Sequence, residues 1–200
     1  MQNLCRKIRE AGSARITPCH TQPGSPRRAE AETFVRRVFA RRYQAAVSSF
    51  APNLTLLEQR QQIIAAAGWR GAENGRLFLE RYLDTPVEQA MARLADESVE
   101  RRRIVEVGNL ASERAGGSVQ IILALAGHLA AEGYEWVVFT ATAELIRIFA
   151  RLGLPLLALA PADPARLGEE AKAWGNYYET APVVVAGRIR WAFDRQELWA

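Results

Sequence analysis

The chain has 200 residues, 49% of them hydrophobic and 24% charged, a size and balance that suit one globular domain with a sizeable core. No apolar run approaches the ~20 residues needed to span a bilayer; the nearest, 137–160, is interrupted by Thr140, Thr142, Glu144, Arg147 and Arg151 and broken at Gly153-Leu154-Pro155. With two cysteines, Cys5 and Cys19, neither a disulfide scaffold nor a cysteine-rich zinc site is available, and a reducing cytoplasm is the expected setting.

The net charge of +4 is unevenly placed: residues 1–42 hold ten Lys/Arg against three acids, so that segment carries +7 and the rest −3. The plain reading is a solvated basic tail; the functional one is a docking surface for an acidic partner. Nucleic acid is not expected, because no aromatic interleaving or binding motif accompanies the arginines. Residues 1–30, with Pro18, Pro23, Gly24, Ser25 and Pro26, read as a flexible basic extension, and 31–200 as the folded domain. The opening residues lack the apolar region of a secretory signal, although their arginines and scarce acids resemble a transit peptide.

Along the domain, "FVRRVFARRYQAAVSSF" reads as a strand or helix start leading into an amphipathic helix that stops by Pro52. "LTLLEQ" and "QIIAAAGWRGA" read as adjacent strands, and "PVEQAMARLADE" as a helix with Pro86 suited to its first turn. "RRIVEVGNLAS" is a strand, and "SVQIILALAGHLAAEG" a helix with Ser118 as expected N-cap and Gly133 as its stop. "EWVVFTAT" (strand), "AELIRIFARLG" (helix), "LPLLALA" (strand) and "APVVVAGRIRWAF" (strand) complete the chain. The pattern predicts an α/β fold: an early antiparallel meander, a later strand-helix-strand-helix-strand unit, and one mixed, mostly antiparallel central sheet flanked by helices.

One stretch breaks this regularity. "RRRIVEVGNLASERAGGSV" places Glu106, Gly108 and Asn109 inside a strand that should carry only packing residues, then adds Gly116 and Gly117 before an apolar helix. The plain reading pairs Glu106 with one of Arg101 to Arg103 and treats Gly108 as a packing concession.

Five separated segments, "RYQAAVSSFAPNL", "LFLERYLDTPVEQA", "IVEVGNLAS", "WVVFTATAELIRIFARLGLP" and "WGNYYETAPVVVAGRI", occur in the order seen in the thermostable hemolysin family, which the chain resembles over roughly residues 40 to 190. More remotely, the order of strands and helices around "VEVGNLA" is similar to the GNAT fold of N-acyltransferases, and within it to the acyl-homoserine-lactone synthases. The GNAT resemblance implies that the strand 104–112 parts from its neighbour and pairs with the pantetheine arm of an acyl thioester. Gly108 would permit a bulge or a close thioester approach. A freed N–H near Gly108 or Asn109 would stabilise the oxyanion, and Glu106 would orient or deprotonate the attacking amine.

The resemblance thus makes Glu106 and Asn109 the catalytic candidates. Val107, Gly108, Leu110, Arg114, Gly116, Gly117 and Ser118 become the residues for the thioester co-substrate, with no permanently bound cofactor and no metal. The GNAT pyrophosphate loop is matched at Arg114 and Gly117 but has Val119 at its last place, which favours an acyl carrier protein over coenzyme A; an ordinary helix start is the plainer alternative. Arg103, Glu80, Thr140, Thr142, Trp174 and Tyr177 are expected to meet the small amine acceptor. Glu80 is otherwise read with Asp84 and Glu88 as a solvated acidic patch, and Trp174 with Tyr177 and Tyr178 as an aromatic cluster. Phe149 stands where many GNAT enzymes carry the tyrosine that protonates the leaving thiolate, so water, Tyr177 or Tyr178 would supply that proton. His128 reads as structural. The expected function is transfer of a fatty acyl group from a pantetheine thioester, on an acyl carrier protein or coenzyme A, to an amine or amino acid; the alternatives are a membrane-active hemolysin and a non-catalytic binding module.

Overall fold

The strand patterns at 53–59 and 62–71 fold as a hairpin, β2 (Asn53–Gln59) and β3 (Gln62–Gly71), whose tight turn takes positive φ at Arg60 and Gln61. The computed structural model describes residues 16–193 apart from Ala115, and around this hairpin it builds one seven-stranded sheet. Before the hairpin lie β1 (Thr17–Thr21) and helix α1 (Arg28–Tyr43); after it come α2 (Val87–Ala95), β4 (Ile104–Ser112), α3 (Gly117–Ala131), β5 (Trp136–Ala141), α4 (Ala143–Arg151), β6 (Leu157–Pro161), β7 (Val183–Arg188) and α5 (Arg190–Phe193). The sheet order is β1-β2-β3-β4-β5-β7-β6, and only β4 and β5 run parallel. This is the mixed, mostly antiparallel sheet flanked by helices that the sequence pattern predicts.

Three details differ from the sequence reading. Of the extension expected over 1–30, residues 1–15 lie outside the described residues, while Thr17–Thr21 pair with β2 as an edge strand, where Pro18 is tolerated. Helix α1 starts before Thr33 and ends at Tyr43, with Gln44 in the left-handed region. Helix α3 is capped by Gly116 at φ 78°, not by Ser118, and a Cβ on Gly117 would come within 2.2 Å of Ser112 Oγ, so only glycine lets this helix start so close to the end of β4.

Both faces of the sheet are covered. Phe34, Val35 and Val38 of α1 pack with Leu54, Leu56 and Ala66 on one face, and Ile121, Leu125 and Leu129 of α3 pack with Ala65, Ala67 and Val105 on the other. The feature that positions the site is a short pairing. β4 and β5 share only Ile104↔Trp136, Val105↔Val137 and Glu106↔Val138; beyond Glu106, β4 continues to Ser112 without β5 beside it.

The segment 72–88 closes over this parting and is held by one buried ion pair. Glu80, 6% exposed, accepts hydrogen bonds from the Leu77 and Val87 N–H groups, at 2.8 and 3.0 Å. Arg101 donates to both of its oxygens, at 2.7 and 3.0 Å, and also to Glu88 and to the Ala72 and Gly75 carbonyls. Burial pushes the Glu80 carboxyl up, but the Arg101 guanidinium and the two N–H groups outweigh it and bring it to about 2. The stability linked to this depressed value is present above the ordinary 4.5 and is lost as pH falls toward 2. Replacing Arg101 by Met should therefore destabilise the fold by ~3 kcal/mol. It should also flatten the dependence of stability on pH between about 4.5 and 2, as read from denaturant unfolding at a series of pH values.

Candidate active site

Where β4 leaves β5, a cavity of ≈ 170 Å³ opens on the α1 face of the sheet. Glu106 is the last β4 residue paired to β5, and its carboxylate lines this cavity while only 8% exposed. None of Arg101 to Arg103 reaches it: Arg101 is bound to Glu80 and Glu88, Arg102 to Glu100, and Arg103 to Glu135. Glu106 instead accepts from the N–H groups of Phe78 (3.0 Å) and Leu79 (2.8 Å), with Arg70 Nε at 3.5 Å. Burial raises its pKa above the usual carboxylate value, against the lowering effect of those donors and of Arg70. A carboxylate so placed is a stronger base than an exposed one.

The bulge expected at Gly108 is made one residue later. Gly68 pairs with Gly108 and Ala66 with Ala111, so β4 carries one extra residue there, and Asn109 takes φ 51°. The Asn109 carboxamide accepts from the Ala51 N–H at 3.0 Å and donates to Ser49 O at 3.4 Å, tying the loop after α1 to the bulge. Gly68 makes this approach possible, since a Cβ there would meet Asn109 Oδ1 at 2.8 Å and Ala51 Cβ at 2.9 Å. Nothing lies within 4 Å of a Cβ built on Gly108, which is exposed to the cavity.

Val107 and Leu110 line the cavity too, and with Leu145 they also line a second, apolar cavity of ≈ 60 Å³ on the opposite face, among α3, α4 and β5. Phe149 lies there, 5.0 Å from the Phe139 ring. The larger cavity is bounded by Thr140, Thr142 and an aromatic wall in which Trp174 is 6.2 Å from Phe39, 5.9 Å from Phe78 and 5.5 Å from Tyr177. Thr142 caps α4 through the Leu145 N–H, and Tyr177 donates to Thr140 O at 3.4 Å. The hydroxyls of Tyr82 and Tyr178 are 2.6 Å apart, and burial raises the pKa of both. Ser118 completes the rim from the start of α3.

Two acceptor-site expectations are corrected. Glu80 does not line the cavity; the cation it binds is Arg101, and its role is to hold the 77–87 segment. Arg103 sits at the far end of β4, donating to Gly133 O and pairing with Glu135. Arg114, Gly116 and Gly117 lie beside the cavity rather than on its lining, with Arg114 hydrogen-bonded to Gln59. His128 stacks on His20 with ring centroids 3.9 Å apart, and among the described residues no group of three or more His, Cys, Asp or Glu is placed to hold a metal.

The residue missed in the sequence is Arg70. It is the β3 partner of Glu106 in register and lines the cavity; its signal was a lone cation in the apolar run "AAAGWRGA". Tyr43, Phe50 and Phe78 were missed as well, because aromatic residues near a helix end or a turn carry no local mark of the cavity they border.

The family profile described as thermostable hemolysin matches residues 21–193. The chain belongs to that family. Among curated proteins none matches it. The family fold seen here is similar to solved structures of low sequence identity. The acyl-homoserine-lactone synthase LasI is 13% identical over 88% of this chain and 91% of its own, with a TM-score of 0.60. FeeM, an N-acyl amino acid synthase from uncultured soil microbes, is 12% identical over 92% and 96%, with a TM-score of 0.59. BjaI, a coenzyme-A-dependent acyl-homoserine-lactone synthase solved with SAM and isopentyl-CoA, is 12% identical over 90% and 87%, with a TM-score of 0.57. This hemolysin-family chain therefore has the GNAT-like fold of those synthases.

Because Asn109 is both a left-handed residue and the anchor of the 49–51 loop, the two roles can be separated. Asn109→Gly keeps the backbone conformation but leaves the Ala51 N–H without its acceptor, and should cost about 1 kcal/mol. Asn109→Ala adds backbone strain to the same loss and should cost about 1 kcal/mol more. In both variants limited proteolysis should cut within 45–52 faster than in the parent protein.

Proposed function

We propose that the protein is an N-acyltransferase that moves an acyl group from a pantetheine thioester, on an acyl carrier protein or coenzyme A, to the amine of a small acceptor. The observation that carries this reading is the parting of β4 from β5 directly after a buried carboxylate that faces a cavity. The likeness in fold to acyl-transferring synthases supports it.

In this reaction the pantetheine arm lies along β4 beyond Glu106, on the edge that β5 leaves open while β3 stays paired on the other side. The acyl chain enters the apolar cavity behind Val107 and Leu110, and the amine approaches from the polar side beside Glu106. Glu106 takes the amine proton, directly or through a water, as nitrogen attacks the thioester carbon. An N–H of β4 near Gly108 or Asn109 meets the oxyanion. The C–N bond forms, the C–S bond breaks, and the thiolate takes up a proton. With Phe149 buried on the far side, Tyr177 is better placed to supply it than any group on α4, through its position against Thr140. Arg114 and the start of α3 would lie nearest the phosphate of the arm. A product N-acylated with a fatty chain would be a surfactant-like lipid, which reconciles such an enzyme with a family named for haemolysis. Among the described residues no helix is long and apolar enough to cross a membrane.

Thiol release from octanoyl thioesters, with mass spectrometry of the lipids made in expressing cells, tests this directly. Glu106→Gln should lower turnover ~100-fold or more while a folded protein persists. Gln presents one donor where the carboxylate accepted, so a modest fall in melting temperature is also expected. In the parent enzyme the acidic limb of the pH–rate profile should lie above the ordinary carboxylate range, because burial raises Glu106 and the base works only when ionised; the Gln variant should lose that limb. Unchanged turnover in a folded Gln variant would remove the carboxylate from the mechanism. If the donor is a carrier protein, turnover should also fall steeply with added salt, whereas turnover with acyl-coenzyme A should not.

A further inference from the structure

Arg70 is used differently from the other arginines near the site. Arg28 spends its guanidinium on Glu32 and on the Ala51 and Pro52 carbonyls, at 2.8 to 2.9 Å, and Arg101 spends all three nitrogens on five acceptor atoms. Arg42, at the rim of the cavity, is taken up by Glu144. Arg70 has a single long contact, Nε to Glu106 Oε2 at 3.5 Å, and among the described residues its two terminal nitrogens have no protein acceptor. Glu106 does not require that contact, since two backbone N–H groups already hold its oxygens at 2.8 and 3.0 Å. A cation therefore lines the cavity with most of its hydrogen-bonding capacity unused, directly across the strands from the carboxylate.

Opposite charges side by side on one wall are complementary to a molecule that carries an amine and a carboxylate on adjacent positions. A guanidinium with free terminal nitrogens binds a carboxylate in two-pronged fashion, which a lysine cannot reproduce. The same cavity is also lined by Phe39, Tyr43, Phe78, Trp174 and Tyr177, which offer ring faces and edges. Arg42 and Glu144, also on the lining, are paired with each other.

Resting on the acyl-transfer reading, we infer that the acceptor is an α-amino acid with a large apolar side chain. Arg70 grips its carboxylate, Glu106 receives its amine, and the aromatic wall takes the side chain. Arg70 is thereby the residue that selects acids over simple amines.

The test compares L-phenylalanine with phenethylamine, which lacks only the carboxylate, and with L-aspartate, which keeps the α-carboxylate but has a charged side chain in place of the apolar one. Thiol release from octanoyl-carrier protein and octanoyl-coenzyme A, and calorimetric binding of each acceptor to the protein alone, are the two readouts. Phenylalanine should bind and react at least about tenfold better than phenethylamine and aspartate. Arg70→Met should raise the KM for phenylalanine relative to that for phenethylamine tenfold to a hundredfold, on the order expected for a lost charged hydrogen bond, while any effect through Glu106 falls on both acceptors alike. Arg70→Lys should fall between them. If Arg70 serves only to tune Glu106, both acceptors suffer equally in Arg70→Met, and the inference fails. If it holds the thioester, the donor's KM rises instead, and the inference fails. Absence of thiol release with every acceptor would overturn the acyl-transfer reading, yet an Arg70-dependent preference for phenylalanine in the binding measurement would still uphold the carboxylate site. Equal binding of all three would reject it.

Discussion

A carboxylate taken out of water inside a sheet must be held by donors, and the molecule is arranged around how it meets that demand at Glu106. The donors are two consecutive N–H groups, those of Phe78 and Leu79, at the start of a short 3-10 turn. That turn has little helical structure of its own to fix it. What fixes it is a second buried carboxylate, Glu80, clamped by Arg101 and by the N–H groups at 77 and 87. The two acids face opposite outcomes for one reason. Glu80 has a guanidinium on both oxygens and drops to about 2, whereas Glu106 has only neutral donors and a cation at 3.5 Å, so desolvation prevails and its pKa rises. One carboxylate is fixed as a structural anion and the other is left able to exchange a proton.

The parting of the strands depends on a similar division. β4 could pair with β5 along its length only if both continued straight, but the extra residue at Asn109 bends β4 and increases its twist. The bulge is stabilised from the α1 side, where Asn109 bonds to the 49–51 loop, and it is permitted from the β3 side by the missing side chain at Gly68. Space appears on both faces of the same opening. Polar and charged groups border it on the α1 face, and mostly apolar groups, aliphatic and aromatic, border it on the α3 face. Such a gap joins a wet compartment to a dry one across a single strand, which is a geometry suited to a substrate with a polar head and an apolar tail.

The order of elements was legible because the periodicities are strong. The hairpin at 53–71, the strand at 104–112 and the helices after it follow from alternation and glycine stops. The oddity of Glu106 and Asn109 was legible too, because a carboxylate and an amide inside an apolar strand call for partners. What those partners are was not. Glu106 is held by backbone groups at 78 and 79, which have no sequence signature, and nearby Arg101 to Arg103 point elsewhere. Glu80 and Arg103 were misplaced for the same reason: charge type is visible in a sequence, but which charge meets which is decided by tertiary contacts across 21 to 32 positions, as in Arg101 with Glu80 and Arg103 with Glu135. The edge strand at 17–21 was hidden by Pro18, since proline is compatible with an edge position but weakens any strand reading.

Net charge along a sequence likewise misleads when read as a surface. The positive excess in residues 1–42 suggests a cationic face, yet each of the six arginines from Arg27 to Arg42 has an acidic partner. Several partners come from far along the chain, Glu58, Glu113 and Glu144 among them. Helix α1 is therefore fastened to β2, to the end of β4 and to the start of α4 by ion pairs that are mostly exposed, individually weak and screened by salt. An acidic partner approaching this helix would have to compete with Glu113 and Glu144 for the same guanidinium groups, so docking there and holding the cavity rim in place draw on the same charges. Arg42 and Glu144 span that rim, one from each helix beside the opening. Electrostatic attraction of a partner to this face is thereby coupled to the geometry of the cavity mouth, through residues that bind neither the acceptor nor the acyl chain in the proposed reaction.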